Sequence, residues 1–235
     1  MSNSSSDPPR PYHLQPTAIL DIDHAEVRAL ARSLFQPNQT NRILLQRAYL
    51  HVLRTVRPVY SVNEWQPVSA SLRSRKGSCS QRMACLEAIA RAAGIPTRVR
   101  ALQVKGSFWF LRFRILRWFI PRYILLVWPQ FFLDGTWVDF DELFSPLAEL
   151  AKTAPEGFRN DGESLYEAVQ SIPVDFLGKT CGVACARPDH DLSRFVLRDA
   201  GFYDTRDEVF QQFGSFQYNW RGRIFEAVIG GRRSS

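Results

Sequence analysis

One segment, residues 77–100 (GSCSQRMACLEAIARAAGIPTRVR), constrains the fold more than any other. Lys76-Gly77-Ser78 reads as a tight turn, and Cys79 falls where a helix begins. Cys79, Met83, Leu86, Ile89, Ala90 and Ala93 recur near helical spacing and form one apolar stripe. Gln81, Arg82, Glu87 and Arg91 lie mostly off that stripe. Gly94 ends the helix and Pro96 bars its return. Residues 97–104 then alternate as a strand does. A helix start presents unpaired N–H groups and a partial positive charge, which stabilises a thiolate and can hold an oxyanion. Arg82, one turn on, adds positive charge and is a candidate substrate-binding residue. A small buried structural cysteine would occupy the same place in sequence.

The rest of the chain sets the frame around this helix. Its 235 residues suit one domain with an appended part, and 17 Phe with 6 Trp can fill a sizeable core. A net charge of +7 points to an acidic partner: an anionic surface, a nucleic acid or an acidic carrier protein. No Lys/Arg block of the nucleic-acid-binding kind is present, so nucleic acid is set aside. Cysteines at 79, 85, 181 and 185 make no metal-ligand spacing, so neither metal nor other cofactor is expected. The first residues, MSNSSSDPPRPYH, have no apolar signal-peptide core; with free thiols this predicts a cytoplasmic protein.

In chain order, residues 1–16 read as a disordered Ser/Pro-rich tail, 17–150 as the core domain, and 151–235 as a mainly helical C-terminal extension. Asp23 is the predicted cap of a helix carrying Val27, Leu30, Ala31 and Leu34, and a second helix runs on to before Pro58. Residues 59–78 read as irregular chain. Residues 106–133 interleave aromatics with Arg112, Arg114, Arg117 and Arg122. The arginines and Pro121 exclude a membrane span. Three readings stand: a lid over a pocket, an interfacial membrane contact, or an insertion that packs its rings while its arginines snorkel outward. Asp134-Gly135 predicts a hairpin turn between strands 123–133 and 136–140. Leu126, Trp128 and Gln130 share one face of the first strand; Trp137, Asp139 and Asp141 follow on the second or its exit. Residues 191–200 and 205–213 read as helices.

Two motifs together resemble the transglutaminase-like superfamily. The first is Gly77-Ser-Cys79 with Arg91-Ala-Ala-Gly94-Ile-Pro96-Thr-Arg98. The second is Trp128-Pro-Gln130 through Asp134-Gly135 to Trp137-Val-Asp139-Phe-Asp141. The resemblance covers roughly residues 24–145. It implies an α+β, papain-like core in which a cysteine helix packs on an antiparallel sheet. It also implies Cys79 as nucleophile, Asp141 as the carboxylate that orients an imidazole, Trp128 at the family tryptophan and Gln130 where glutamate is common.

The family histidine would stand two residues before Trp128, where this chain has Leu126. General acid–base work contributes typically a hundred- to ten-thousand-fold, so this departure matters. Three explanations remain open: Asp139 or Asp141 serves as the acid–base group, His190 enters from the C-terminal part, or the chain is a non-catalytic partner subunit. The leading expectation is a biosynthetic enzyme performing acyl transfer or C–N bond formation. Its substrate would be a small amino-acid-derived intermediate, free or on an acidic carrier protein. A partner subunit that binds another protein and a cysteine hydrolase are the competing classes.

Overall fold

A computed structural model describes residues 7–113, 117–180 and 191–232; His190, Cys181 and Cys185 lie outside them. Helices α1 (Ala25–Leu34), α2 (Asn41–Thr55) and α3 (Val68–Ser74) pack around α4 (Cys79–Ala92). A short parallel bridge joins β1 (Arg57–Pro58) to β2 (Lys76–Gly77), and Gly77 leads directly into α4. Four strands follow: β3 (Thr97–Lys105), β4 (Tyr123–Leu133), β5 (Thr136–Asp139) and β6 (Val196–Tyr203). They form one antiparallel sheet in the order β5-β4-β3-β6. Four further helices lie in the second half: α5 (Leu147–Thr153), α6 (Leu165–Ala168), α7 (Arg206–Phe213) and α8 (Trp220–Ile229). The α+β expectation holds. Among the described residues no helix is long and apolar enough to cross a membrane.

The local signals around α4 and the hairpin act as read. Ser78 and Gln81 form a reciprocal capping box: the Gln81 N–H donates to Ser78 Oγ at 3.2 Å and the Ser78 N–H to Gln81 Oε1 at 2.8 Å. Gly94 takes φ +82°, a left-handed conformation that ends the helix at little steric cost. Asp134 and Gly135 both have positive φ, and Leu133 pairs with Thr136 across them.

Four expectations are corrected. First, α4 is buried all round, not on one stripe: Gln81, Arg82, Glu87 and Arg91 are as buried as Met83 and Ile89. Each polar group has a distant partner. Arg206 Nε donates to Glu87 Oε1 at 2.6 Å, and Arg91 donates to Thr97 and to the carbonyls of Gln15 and Asp204. Buried polar groups are tolerated where they are so bonded. Second, the segment around residues 191–200 is not a helix. Asp191 caps a single 3-10 turn, Leu192–Phe195, and the chain then extends as β6 along the open edge of β3, Val99 opposite Tyr203. Pairing that edge satisfies backbone groups that helix formation would have left exposed. Third, residues 59–78 contain α3 and β2, and His24, not Asp23, caps α1 by accepting from the Glu26 N–H. Fourth, residues 7–16 are fastened to the core. Trp137 Nε1 donates to the Asp7 carbonyl at 2.7 Å, and buried His13 meets Asp204 at 2.9 Å.

Between β3 and β4 the chain makes a closed excursion. Its base is pinned where the Gly106 N–H donates to the Arg122 carbonyl at 2.9 Å. A Cβ at Gly106 would lie 1.9 Å from the Pro121 carbonyl oxygen, so only glycine permits this approach. Phe108 anchors the excursion against Phe158, Phe176 and Phe195.

Candidate functional site

The amino end of α4 opens onto a cavity of about 590 Å³. Cys79, the first residue of the helix, lines it and is half-buried. The Cys79 and Ser80 N–H groups have no intrahelical acceptor at this end, which is the arrangement that holds a negative charge. Cys85, six residues on, is fully enclosed, and burial pushes its thiol up to about 12. One cysteine of the helix therefore opens onto the cavity and the other is core.

The wall of the cavity is largely apolar: Leu126 of β4, Trp109, Phe113, Phe210 and Phe225 all contribute. Leu126 stands where the resemblance places a histidine, and it lines the same cavity as Cys79. The spatial relation of helix and strand is thus kept while the imidazole is replaced by an isobutyl group.

Three polar residues absent from the sequence reading share this cavity. Tyr60 hydrogen-bonds Arg112 and lies close enough to Cys79 for their charges to interact; burial raises its phenol above the usual range, against the pull of Arg112. Glu64 accepts from Ser80 Oγ at 2.6 Å, and burial raises its carboxyl. Ser80 in turn accepts from Arg206 Nη1 at 3.0 Å. Glu64, Ser80, Arg206 and Glu87 form one chain of contacts that begins at the cavity and ends inside α4. No local motif marks Tyr60 or Glu64. The only sequence signal is topological: the chain leaving Pro58 must pass the helix start, because Val59 N–H donates to the Gly77 carbonyl at 3.1 Å.

The other residues singled out from sequence lie elsewhere. Arg82 is fully buried, stacks over the Tyr166 ring at 4.5 Å and pairs with Glu167 at 3.3 Å. Trp128 Nε1 donates to Asp141 Oδ1 at 3.1 Å. Gln130 bridges Arg98 Nε (2.7 Å) and Asp139 Oδ1 (2.6 Å), and Lys179 Nζ reaches Asp139 Oδ2 at 2.5 Å. Burial, then the neighbouring Asp139 charge, pushes the Asp141 carboxyl up to about 8. The structure brings Asp139, Asp141, Trp128 and Gln130 together in one seam further along β4 from Leu126, with Arg82 apart from it on Tyr166 and Glu167. None of the five lines the Cys79 cavity. Among the described residues no cluster of His, Cys, Asp and Glu could hold a metal ion.

A cysteine at the first turn of a buried helix, packed against the antiparallel sheet that follows it, defines a papain-like cysteine fold lacking its usual histidine. Residues 28–142 match the family model of the transglutaminase-like superfamily. No curated protein matches the sequence. Two solved structures are similar over part of the chain. One is a proposed cysteine protease from Cytophaga hutchinsonii (16% identity, TM-score 0.42), covering 55% of this chain and 39% of that one. The other is a proposed protease from Parabacteroides distasonis (17% identity, TM-score 0.38), covering 56% and 26% respectively. The chain therefore spans well under half the length of either.

Proposed function

We propose that the protein is a cysteine acyltransferase whose donors are thioesters. What carries the reading is the placement of half-buried Cys79 at the amino end of α4 in a 590 Å³ cavity, facing an apolar wall at Leu126. The Cys79 thiolate attacks the donor carbonyl, and the helix N–H groups hold the oxyanion. Collapse expels the donor thiolate and leaves an acyl group on Cys79. An amine acceptor then attacks, the amide forms, and Cys79 departs as thiolate while the amine's proton passes to a carboxylate.

The missing imidazole selects the donor. Expelling an amine from an amide requires a proton delivered at the leaving nitrogen, which histidine supplies elsewhere. A thiol with an ordinary pKa near 8.5 leaves as the anion without one. The acid–base role expected of Asp139 and Asp141 falls instead to Glu64, which shares the cavity while those two do not. Asp141 sets the position of Trp128, and Asp139 that of Gln130, further along β4 from Leu126. Thioesters of amino-acid-derived acids, free or on an acidic carrier protein, are the substrate class that fits; the +7 charge would speed association with such a carrier.

A second reading, a binding subunit without turnover, draws on the same Leu126. Intact-mass measurement separates the two. Incubation with an acyl thioester of N-acetylcysteamine should add one acyl group at Cys79, and the matching amide should add none. Cys79→Ser should abolish the adduct, and iodoacetamide should label Cys79 well before Cys85. Protection of Cys79 from iodoacetamide by the thioester, with no adduct formed, would replace the enzyme with the binding subunit.

A further inference from the structure

We propose that the rim of the Cys79 cavity is a docking surface for an anionic lipid bilayer. The proposal is independent of the chemistry at Cys79. Two segments distant in sequence build the rim. The excursion between β3 and β4 supplies Arg122 and Tyr123, and the start of α8 supplies Asn219 and Arg221. The two are joined: the 3-10 turn Arg117–Phe119 packs on α8, and the Phe113 and Phe225 rings meet at 5.3 Å.

On the same two segments lie the most exposed aromatic side chains among the described residues. Trp118 is 78% exposed, Tyr218 65% and Trp220 62%. A single exposed ring is ordinary, but three on α8 and the two turns packed on it mark a contact surface. The two segments carry charge of one sign. Residues 106–133 and 215–225 together hold six arginines and not one acidic residue. Of these, Arg117, Arg122, Arg221 and Arg223 are exposed.

The chemistry of the patch selects a bilayer over an acidic protein. Trp and Tyr rings are favoured at the headgroup level, where an apolar body meets a wet edge. Arginine binds phosphate in a fixed fork, and each basic residue near an anionic leaflet adds attraction. The rings lie on two 3-10 turns and a helix start and are largely in solvent, so the partner must yield around them. The headgroup–acyl boundary does so. A folded acidic surface offers carboxylates to the arginines but no apolar medium to the indoles.

The test is co-sedimentation of the full chain with vesicles of phosphatidylcholine alone and of phosphatidylcholine mixed with phosphatidylglycerol. Binding is expected to the mixed vesicles, weakening as salt rises, with little to the neutral ones. Trp118→Ala and Trp220→Ala should each weaken it on the order of tenfold, and Arg117→Gln and Arg223→Gln about fivefold each. All four positions are exposed, so an unchanged thermal transition will show that the variants fold. Brominated lipid should quench the tryptophan emission of the wild type more than that of the double Trp variant. Cys79→Ser should bind as the wild type does, so loss of acyl transfer and loss of docking are separable. The proposal is overturned by absence of binding to either vesicle. It is overturned equally by binding that the double Trp variant leaves intact, which is bulk charge attraction, or by tighter binding to polyglutamate than to the mixed vesicles.

Discussion

Two neighbouring stretches of one face of strand β4 handle polar groups in opposite ways. At Trp128 and Gln130, Asp139, Asp141, Gln130, Arg98 and Lys179 form a seam in which nearly every donor meets an acceptor. At Leu126, the Cys79 cavity keeps Cys79, Tyr60 and Glu64 beside apolar walls with room for a ligand. The first arrangement fixes geometry and the second leaves polar groups available. The carboxylate position that the resemblance implies falls in the first stretch and the nucleophile position it implies in the second. In this chain the residue that would connect them, at position 126, is a leucine.

The largest expected effect comes from breaking the buried ion pair between Glu87 of α4 and Arg206 of α7, on the cavity side of the comparison. Glu87 and Arg206 are both essentially without exposure, and Arg206 also donates to Ser80 and to the Val127 carbonyl at 3.2 Å. Replacing one partner leaves an uncompensated buried charge. Glu87→Ala should cost about 3–5 kcal/mol in urea unfolding. A loss below about 1 kcal/mol would show that Arg206 finds enough compensation elsewhere, and that this pair does not organise the helix.

Next in size is Leu126→His, which restores the missing connection. The position lines the cavity with Cys79, and an imidazole occupies similar volume. Turnover of an amide donor should rise about a hundredfold, the lower bound for positioned acid–base groups. The thioester rate should change far less, because its leaving group needs no proton. An equal gain on both donors would refute the argument that the leucine selects thioesters.

A pH experiment isolates the seam. The Asp141 carboxyl is pushed up to about 8 in the folded chain by burial and by Asp139, against an ordinary value near 4 when unfolded. Between those values the folded state holds a proton that the unfolded state has released. Stability is therefore greatest below about pH 4 as far as this group is concerned, and falls as pH rises towards 8. Glu64 and Glu87 are also raised by burial and push in the same direction. Asp141→Asn should flatten the decline between pH 5 and 8 in thermal unfolding without abolishing it. An identical slope in variant and wild type would count against a protonated Asp141.

How much of this was legible in sequence follows from where each interaction's partner lies. The α4 start, the Gly94 stop and the Asp134-Gly135 hairpin were readable because each is decided within about four residues. The polar residues of α4 were placed only off the apolar stripe, and their burial was not readable because their partners are remote: Arg206 is 119 residues from Glu87, and the Asp204 carbonyl is 113 from Arg91. Tyr60 and Glu64 were missed for the same reason, since only the fold carries them past the helix start. The place of Cys79 at the helix start was legible, but the seam and the cavity were merged into one imagined site. Alternation along β4 gives the face of a side chain and not what separates it from the cysteine.

The smallest expected effect concerns β6, the strand that sequence reading took for a helix. Across the β3–β6 pair Arg100 forms an ion pair with Asp199 and sits over the Phe202 ring at 5.0 Å. Both charged groups are partly exposed, so water screens them, and pairs of this kind are worth about 0.2–1 kcal/mol. The strand's larger hold is its backbone ladder on β3. Arg100→Ala should therefore lower unfolding stability by no more than about 1 kcal/mol and leave amide exchange in residues 196–203 protected. If that one substitution frees those amides, side-chain charge and not edge pairing holds the C-terminal part on the sheet. The preference for strand over helix in this segment would then have a different cause.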